Sequence, residues 1–255
     1  MALYIRSESL GWGNVVLQLA DFHFTCKMNK KTPYIHDSLM DVNREVKFNG
    51  FTFTSDKSIQ QYNPRIIINP DFYNIIHLPI INKIIEPSEN MKVLIEQHKH
   101  LVEDVKCGIH IRRGAFSNDS KHVGCHGRDG NGNIKPAYFA SDKAVKKFEE
   151  IMDKTDGKIF IASDSKELKK SFKEKFGNKI NFLETDIALT YHCDYLKNRE
   201  NTKELDRTNC YLEWFLLSMC PVLYITAGNA DLTDFSTFGY TAGVYGNSQM
   251  HFVFN

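Results

Sequence analysis

The chain has 255 residues, with 42% apolar residues and a formal charge of +1, so it is long enough for one large domain or two compact lobes. A charge so near zero excludes a broad nucleic-acid or anionic-membrane surface, and any anion site must come from local arginines. Six scattered cysteines without a Cys-x-x-Cys pair favour reduced, buried thiols and a cytoplasmic setting over a disulfide framework.

In chain order, Leu3-Tyr4-Ile5 reads as a first strand. Ser9 to Ala20 reads as a glycine turn, with Gly11 and Gly13, opening a helix whose Leu17, Ala20, Phe24 and Met28 recur at helical spacing. Glycines there let backbone approach a ligand, and a helix N-terminus favours phosphate. Thr32 to Asp37 reads as a second strand. Ile66-Ile67-Ile68 and Ile75 to Ile85 are apolar runs punctuated by prolines, and Ser88 is placed to cap a helix reaching His100.

Val105 to Ile111 reads as a strand with His110 and Arg112 on one face and Cys107, Ile109, Ile111 and Arg113 on the other. A strand running into Arg112-Arg113-Gly114 is unusual, because a buried guanidinium must find an anion. Arginine's planar fork suits a phosphate, and an acidic side chain nearby is the alternative partner. Residues 118–133 form a polar, glycine-rich loop with His122, Cys125 and His126. Their spacing is not a standard zinc set, so no metal site is assigned.

Pro136 to Met152 reads as a helix with Phe139, Ala144, Phe148 and Ile151 on one side. Lys158 to Ala162 reads as a buried parallel strand ended by Ser163-Asp164-Ser165. Lys166 to Phe176 is the next helix, Ile180 to Leu183 a strand, and Leu205 to Met219 a long core helix. Pro221 to Thr226 reads as the last strand of the sheet, followed by Ser236-Thr237-Phe238 opening a final helix. Strands alternating with helices from Val105 onward imply a parallel, doubly wound sheet.

Four of these segments, in order, carry a resemblance. His110-Ile111-Arg112-Arg113-Gly114 followed by an aromatic is similar to the His-x-Arg-Arg-Gly-Asp-Tyr motif of the α-1,2-fucosyltransferases and their α-1,6- and protein-O-fucosyltransferase relatives. Gly11, Gly13, Asn14 and Gln18 fall in register with that family's Gly-Leu-Gly-Asn-Gln opening. Ser163-Asp164 resembles its second motif, and Ser236, Thr237, Phe238 and Ala242 its third. Val15, Ala115, Ser165, Phe235 and Gly239 depart from the pattern. With no membrane anchor evident in the sequence, the likeness is to soluble microbial or viral members.

The resemblance implies an α/β fold of the GT-B kind, with two Rossmann-like lobes of parallel sheet around a cleft. Residues 1–100 would form the acceptor-side lobe and 101–255 the donor lobe. It further implies inverting transfer of fucose from GDP-fucose to a glycan hydroxyl, with no cofactor and no metal. The donor would be held by Gly11, Gly13, Asn14, His110, Arg112, Arg113, Ser163, Asp164, Ser236, Thr237 and Phe238. Arg112 would stabilise the leaving pyrophosphate. The general base is not named by the residues; Asp21, Asp119 and Glu8 all have the chemistry. Because Ala115 stands where the nearest family members have Asp, the donor sugar is open to GDP-mannose, GDP-rhamnose or a UDP-sugar. A non-catalytic glycan- or nucleotide-binding relative is the remaining alternative.

Overall fold

The computed structural model describes residues 3–5, 12–36, 45–55, 60–61, 78–113, 140–184, 208–228 and 235–255. The first half contains β1 (Leu3–Ile5), α1 (Trp12–Met28), β2 (Pro33–His36), β3 (Val46–Phe48), β4 (Thr52–Thr54) and β5 (Gln60–Gln61). Then come α2 (Leu78–Ile84), β6 (Ile85–Pro87) and α3 (Glu89–His98). The second half contains β7 (Val105–Ile111), α4 (Asp142–Lys154), β8 (Lys158–Ser163), α5 (Lys166–Phe176) and β9 (Ile180–Phe182). It closes with α6 (Thr208–Ser218), β10 (Val222–Thr226), α7 (Thr237–Gly246) and β11 (Gln249–Val253).

The strands form two parallel sheets, in the orders β4-β2-β1-β5 and β11-β10-β7-β8-β9, and β3 pairs antiparallel with β6. Alternation along β7 sorts the second sheet's faces as expected. Cys107, Ile109 and Ile111, with Ile159 and Ile161 of β8, pack under Ala144, Phe148 and Met152 of α4. On the opposite face, Phe160, Ala162, Leu223 and Ile225 join Leu217 of α6 and Tyr240 of α7. Gly108 permits this second layer: a β-carbon there would lie 2.7 Å from Leu223 Cδ2 and 2.9 Å from Leu217 Cδ1. One apolar cluster runs through both halves, from Val16, Phe22 and Met91 to Trp214 and Leu223.

Local chemistry sets the helix ends. Ser88 accepts the Met91 N–H at 3.1 Å to start α3, and Ser165 accepts the Leu168 N–H at 3.2 Å to start α5. Two expectations are corrected. α4 begins at Asp142, later than Pro136, because Ala140 donates its N–H to the Arg112 carbonyl and Ser141 caps the helix. β10 is not the last strand, since β11 pairs with it in parallel at the sheet edge. Ile66-Ile67-Ile68 lies outside the described residues, and the later apolar run divides into α2 and β6. No helix among the described residues is long and apolar enough to cross a membrane.

Candidate active site

After β9 the chain crosses back over the sheet, so its winding direction reverses between β7 and β10. Beyond the carboxyl ends of two such strands lies the usual ligand crevice of an open α/β sheet. Thr226, wholly buried at the end of β10, ties this point together. Its hydroxyl donates to the His110 carbonyl at 3.1 Å and accepts the Arg112 N–H at 3.1 Å. Its carbonyl accepts the Ser236 N–H at 2.9 Å, which anchors the start of α7. Thr226 was not singled out from sequence; a β-branched hydroxyl residue at a strand end is a weak signal on its own.

α7 opens on Ser236 in the N-cap position, yet the Ser236 hydroxyl caps nothing. It is fully buried and has no hydrogen-bond partner. The first turn of α1 lies against the first turn of α7. A β-carbon on Gly13 would sit 2.3 Å from the Thr237 carbonyl carbon and 2.4 Å from the Phe238 nitrogen, so no side chain fits between them. The helix begins at Trp12, which places Gly13 and Asn14 inside its first turn rather than in a turn before it.

Two helix N-termini in contact bring together two partial positive charges of about half a unit each, with backbone N–H groups that lack intrahelical acceptors. Neither α1 nor α7 carries an acid in its first turn, nor do α2 and α6, whereas α3, α4 and α5 carry Glu89, Asp142 and Glu167. An arrangement of this kind is stabilised by an anion.

His110 adds a neutral floor. Its ring stacks on Phe238 with centroids 5.0 Å apart, and its Nδ1 is buried without a partner. Burial, then the nearby Arg112 guanidinium, pushes the imidazole down to about 3, so His110 is uncharged at neutral pH. Arg112, on the same face of the strand as His110, is half buried, and its backbone N–H is held by Thr226.

The other side of β7 is built differently. Arg113 donates through its backbone N–H to Asp164 Oδ1 at 2.6 Å and through Nη1 to the Ala140 carbonyl at 2.7 Å, and its Nη2 pairs with Asp142. The Ser163 hydroxyl donates to the Ile111 carbonyl at 2.7 Å and accepts the Ser165 N–H. These residues bind the ends of β7 and β8 to each other.

Gly13, Asn14, His110, Arg112, Thr237, Phe238 and Ser236 thus belong to one end of the second sheet and its apposed helices, with Arg113, Ser163 and Asp164 bracing its flank. Gln18 lies buried along α1, with Oε1 lacking a partner. Gly11, Ala115, His122, Cys125 and His126 lie outside the described residues. Among the described residues no cluster of three metal-ligating side chains occurs, and Cys26, Cys107, Cys210 and Cys220 are free thiols.

No protein-family model and no curated protein matches the chain. Solved structures do. The fucosyltransferase NodZ from Bradyrhizobium is 12% identical, with 94% of this chain and 91% of that one covered and a TM-score of 0.52. The α-1,6-fucosyltransferase NodZ soaked with GDP-fucose matches over 96% of this chain and 92% of its own, at the same identity and TM-score of 12% and 0.52. A mutant of Arabidopsis thaliana FUT1 in complex with GDP is 11% identical, with 98% of this chain and 69% of that one covered and a TM-score of 0.55. At such identities the likeness is one of fold, and the chain has the GT-B-like α/β fold of these fucosyltransferases.

Proposed function

We propose that the chain is an inverting glycosyltransferase that moves fucose from GDP-fucose to a glycan hydroxyl without a metal ion. The observation that carries this reading is the contact of two acid-free helix N-termini beside Arg112 at the switch between β7 and β10. A nucleoside-diphosphate sugar supplies the anion such a place asks for, and GDP or GDP-fucose is bound in the fold's fucosyltransferase relatives.

Breaking the glycosyl–phosphate bond builds an oxocarbenium-like sugar and a pyrophosphate whose charge grows. Arg112, the first-turn N–H groups of α7 and the Ser236 hydroxyl meet that charge as it develops, in a site already desolvated. His110, held neutral, binds without competing for the negative charge. Arg113, Ser163 and Asp164 keep the strand ends in register on the nucleotide side. Residues 1–100 are assigned to the acceptor side and 101–255 to the donor, with Gly13 contributed across that division. The four cysteines among the described residues are free thiols, which suits a reducing compartment such as the cytoplasm.

The test is nucleotide release from a panel of GDP-, UDP- and dTDP-sugars, with chelator present and a glycan acceptor mixture supplied. Release of GDP from GDP-fucose alone, abolished in Arg112→Ala, is the expected result. Failure to bind any nucleotide overturns the reading. A second reading, the same chemistry with another nucleotide sugar, is favoured by Ala115 in place of an acid, and turnover of a different panel member would select it.

A further inference from the structure

A buried ion pair lies behind the flank of the site, outside the groups assigned to the pyrophosphate. Lys169 of α5 and Glu213 of α6 are 1% and 2% exposed and pair at 3.2 Å. Such a pair contributes little net stability, because two desolvated charges roughly cancel their attraction. Its value here is geometric. Lys169 Nζ also donates to the Leu183 carbonyl just past β9, at 3.1 Å, and lies 5.7 Å from the Phe182 ring centre. The helix carrying Glu213 packs on β8, and at the end of that strand the Asp164 carboxylate raises the Glu213 pKa while the Ser163 N–H lowers it. Ser163 and Asp164 are the residues that hold the end of β7, through the Ile111 carbonyl and the Arg113 N–H.

We infer that Glu213, held by Lys169, is a positioning residue for donor-nucleotide binding. It sets the Ser163–Asp164 turn and, through that turn, the direction in which Arg112 leaves the strand. This inference rests on the nucleotide site proposed above.

The ionised carboxylate grips both Ser163 and Lys169. Its protonation leaves a buried ammonium unbalanced and weakens the backbone bond. Burial outweighs the Lys169 attraction and pushes the Glu213 carboxyl up to about 7, so both forms are populated near neutrality. Among the described residues, the charged groups acting on Glu213 are Lys169 from α5 and Asp164 from the end of β8. The other elements packed on α6, namely α1, α3, α7 and β7, add no charge to it, and His110 of β7 is neutral.

Calorimetric titration of GDP into the full chain, from about pH 5.5 to about pH 8.5, tests this for the wild type and Glu213→Gln. The terminal phosphate of GDP itself titrates near pH 6, by analogy with phosphoserine at about 6, so the ratio of the two affinities is what is read. The wild type is expected to bind about fivefold tighter above neutrality, with the ratio falling toward unity as the pH drops. Equal affinities throughout, or a ratio that ignores pH, would overturn the inference.

Should Glu213→Gln fail to fold, a carboxyl-carbon NMR titration of Glu213 in the wild type takes its place. By linkage GDP must lower the Glu213 midpoint, and an unmoved midpoint also overturns the inference. Loss of GDP binding by the wild type at every pH would instead remove the nucleotide site, and this inference with it.

Discussion

The two sides of β7 end in opposite ways. Toward β8, polar groups are engaged with one another: Arg113 with Asp164, Ala140 and Asp142, and Ser163 with Ile111 and Ser165. Toward β10, polar atoms are buried and left over: the Ser236 hydroxyl and His110 Nδ1, under two helix N-termini without acids. A chain that stabilised itself alone would close both sides, since an unsatisfied buried polar group costs about 1–3 kcal/mol. One side is closed on itself, and the other leaves buried polar groups unpartnered, as the proposed donor site requires.

The most damaging way to break this contrast is Gly13→Ala. The added methyl meets backbone atoms that cannot rotate away, so the α1–α7 contact must open. We expect a loss of about 3 kcal/mol or more in stability, seen in denaturant unfolding, together with loss of GDP binding. Protein as stable as wild type would show that the two first turns are not held together.

Next come the arginines. Arg112→Ala should act chiefly on the ligand, weakening GDP binding by about a hundredfold, because its proposed role is toward the pyrophosphate. Arg113→Ala should do the reverse, costing about 1–2 kcal/mol of stability through lost bonds to Ala140 and Asp142; exposed Asp142 adds little of this. Binding and melting curves for both variants would expose an exchange of roles.

The serines offer a finer comparison. Ser163→Ala removes a bond to the Ile111 carbonyl and should destabilise by about 1 kcal/mol. Ser236→Ala removes a hydroxyl with no partner, so stability should hold or rise slightly while GDP affinity falls about tenfold. Unaltered affinity in Ser236→Ala would take the hydroxyl out of the site.

The last comparison is in pH. His110 is lowered from 6.5 to about 3 on folding, so its contribution is whole above about 6.5 and is lost as pH falls toward 3. Glu213 is raised from 4.5 to about 7, so its contribution is whole below 4.5 and is lost as pH rises toward 7. Urea unfolding of wild type and Glu213→Gln should therefore diverge across that second window, with the wild type losing stability relative to the variant as pH rises. A constant difference would mean Glu213 does not change its protonation on folding.

Much of this was legible because it follows from short-range rules. The alternation in Val105–Ile111 assigned both sheet faces, and Ser88 and the Lys166–Phe176 pattern placed α3 and α5. β11 was missed although Gln249-Met250-His251-Phe252 alternates polar and apolar residues as its exposure does, because so short a run carries a weak signal. The start of α4 was misjudged because Ala140 answers to Arg112, distant in sequence. Nothing in the lysine-rich run Lys166–Phe176 marks Lys169 as buried, and its partner Glu213 sits amid apolar residues of α6. Only the packing of α5 against β8 and β9 reveals that they meet.

The parallel winding of both larger sheets has a consequence for how the molecule forms. No strand in either sheet is bonded to its neighbour through a tight hairpin, so every pairing waits on a crossover that closes a long loop first. Chains dominated by such non-local pairing fold slowly, and β7, central in its sheet and largely buried, stays unpaired until a neighbour arrives. Heterologous expression at low temperature, which slows association of those exposed strands, should therefore raise the yield of native protein.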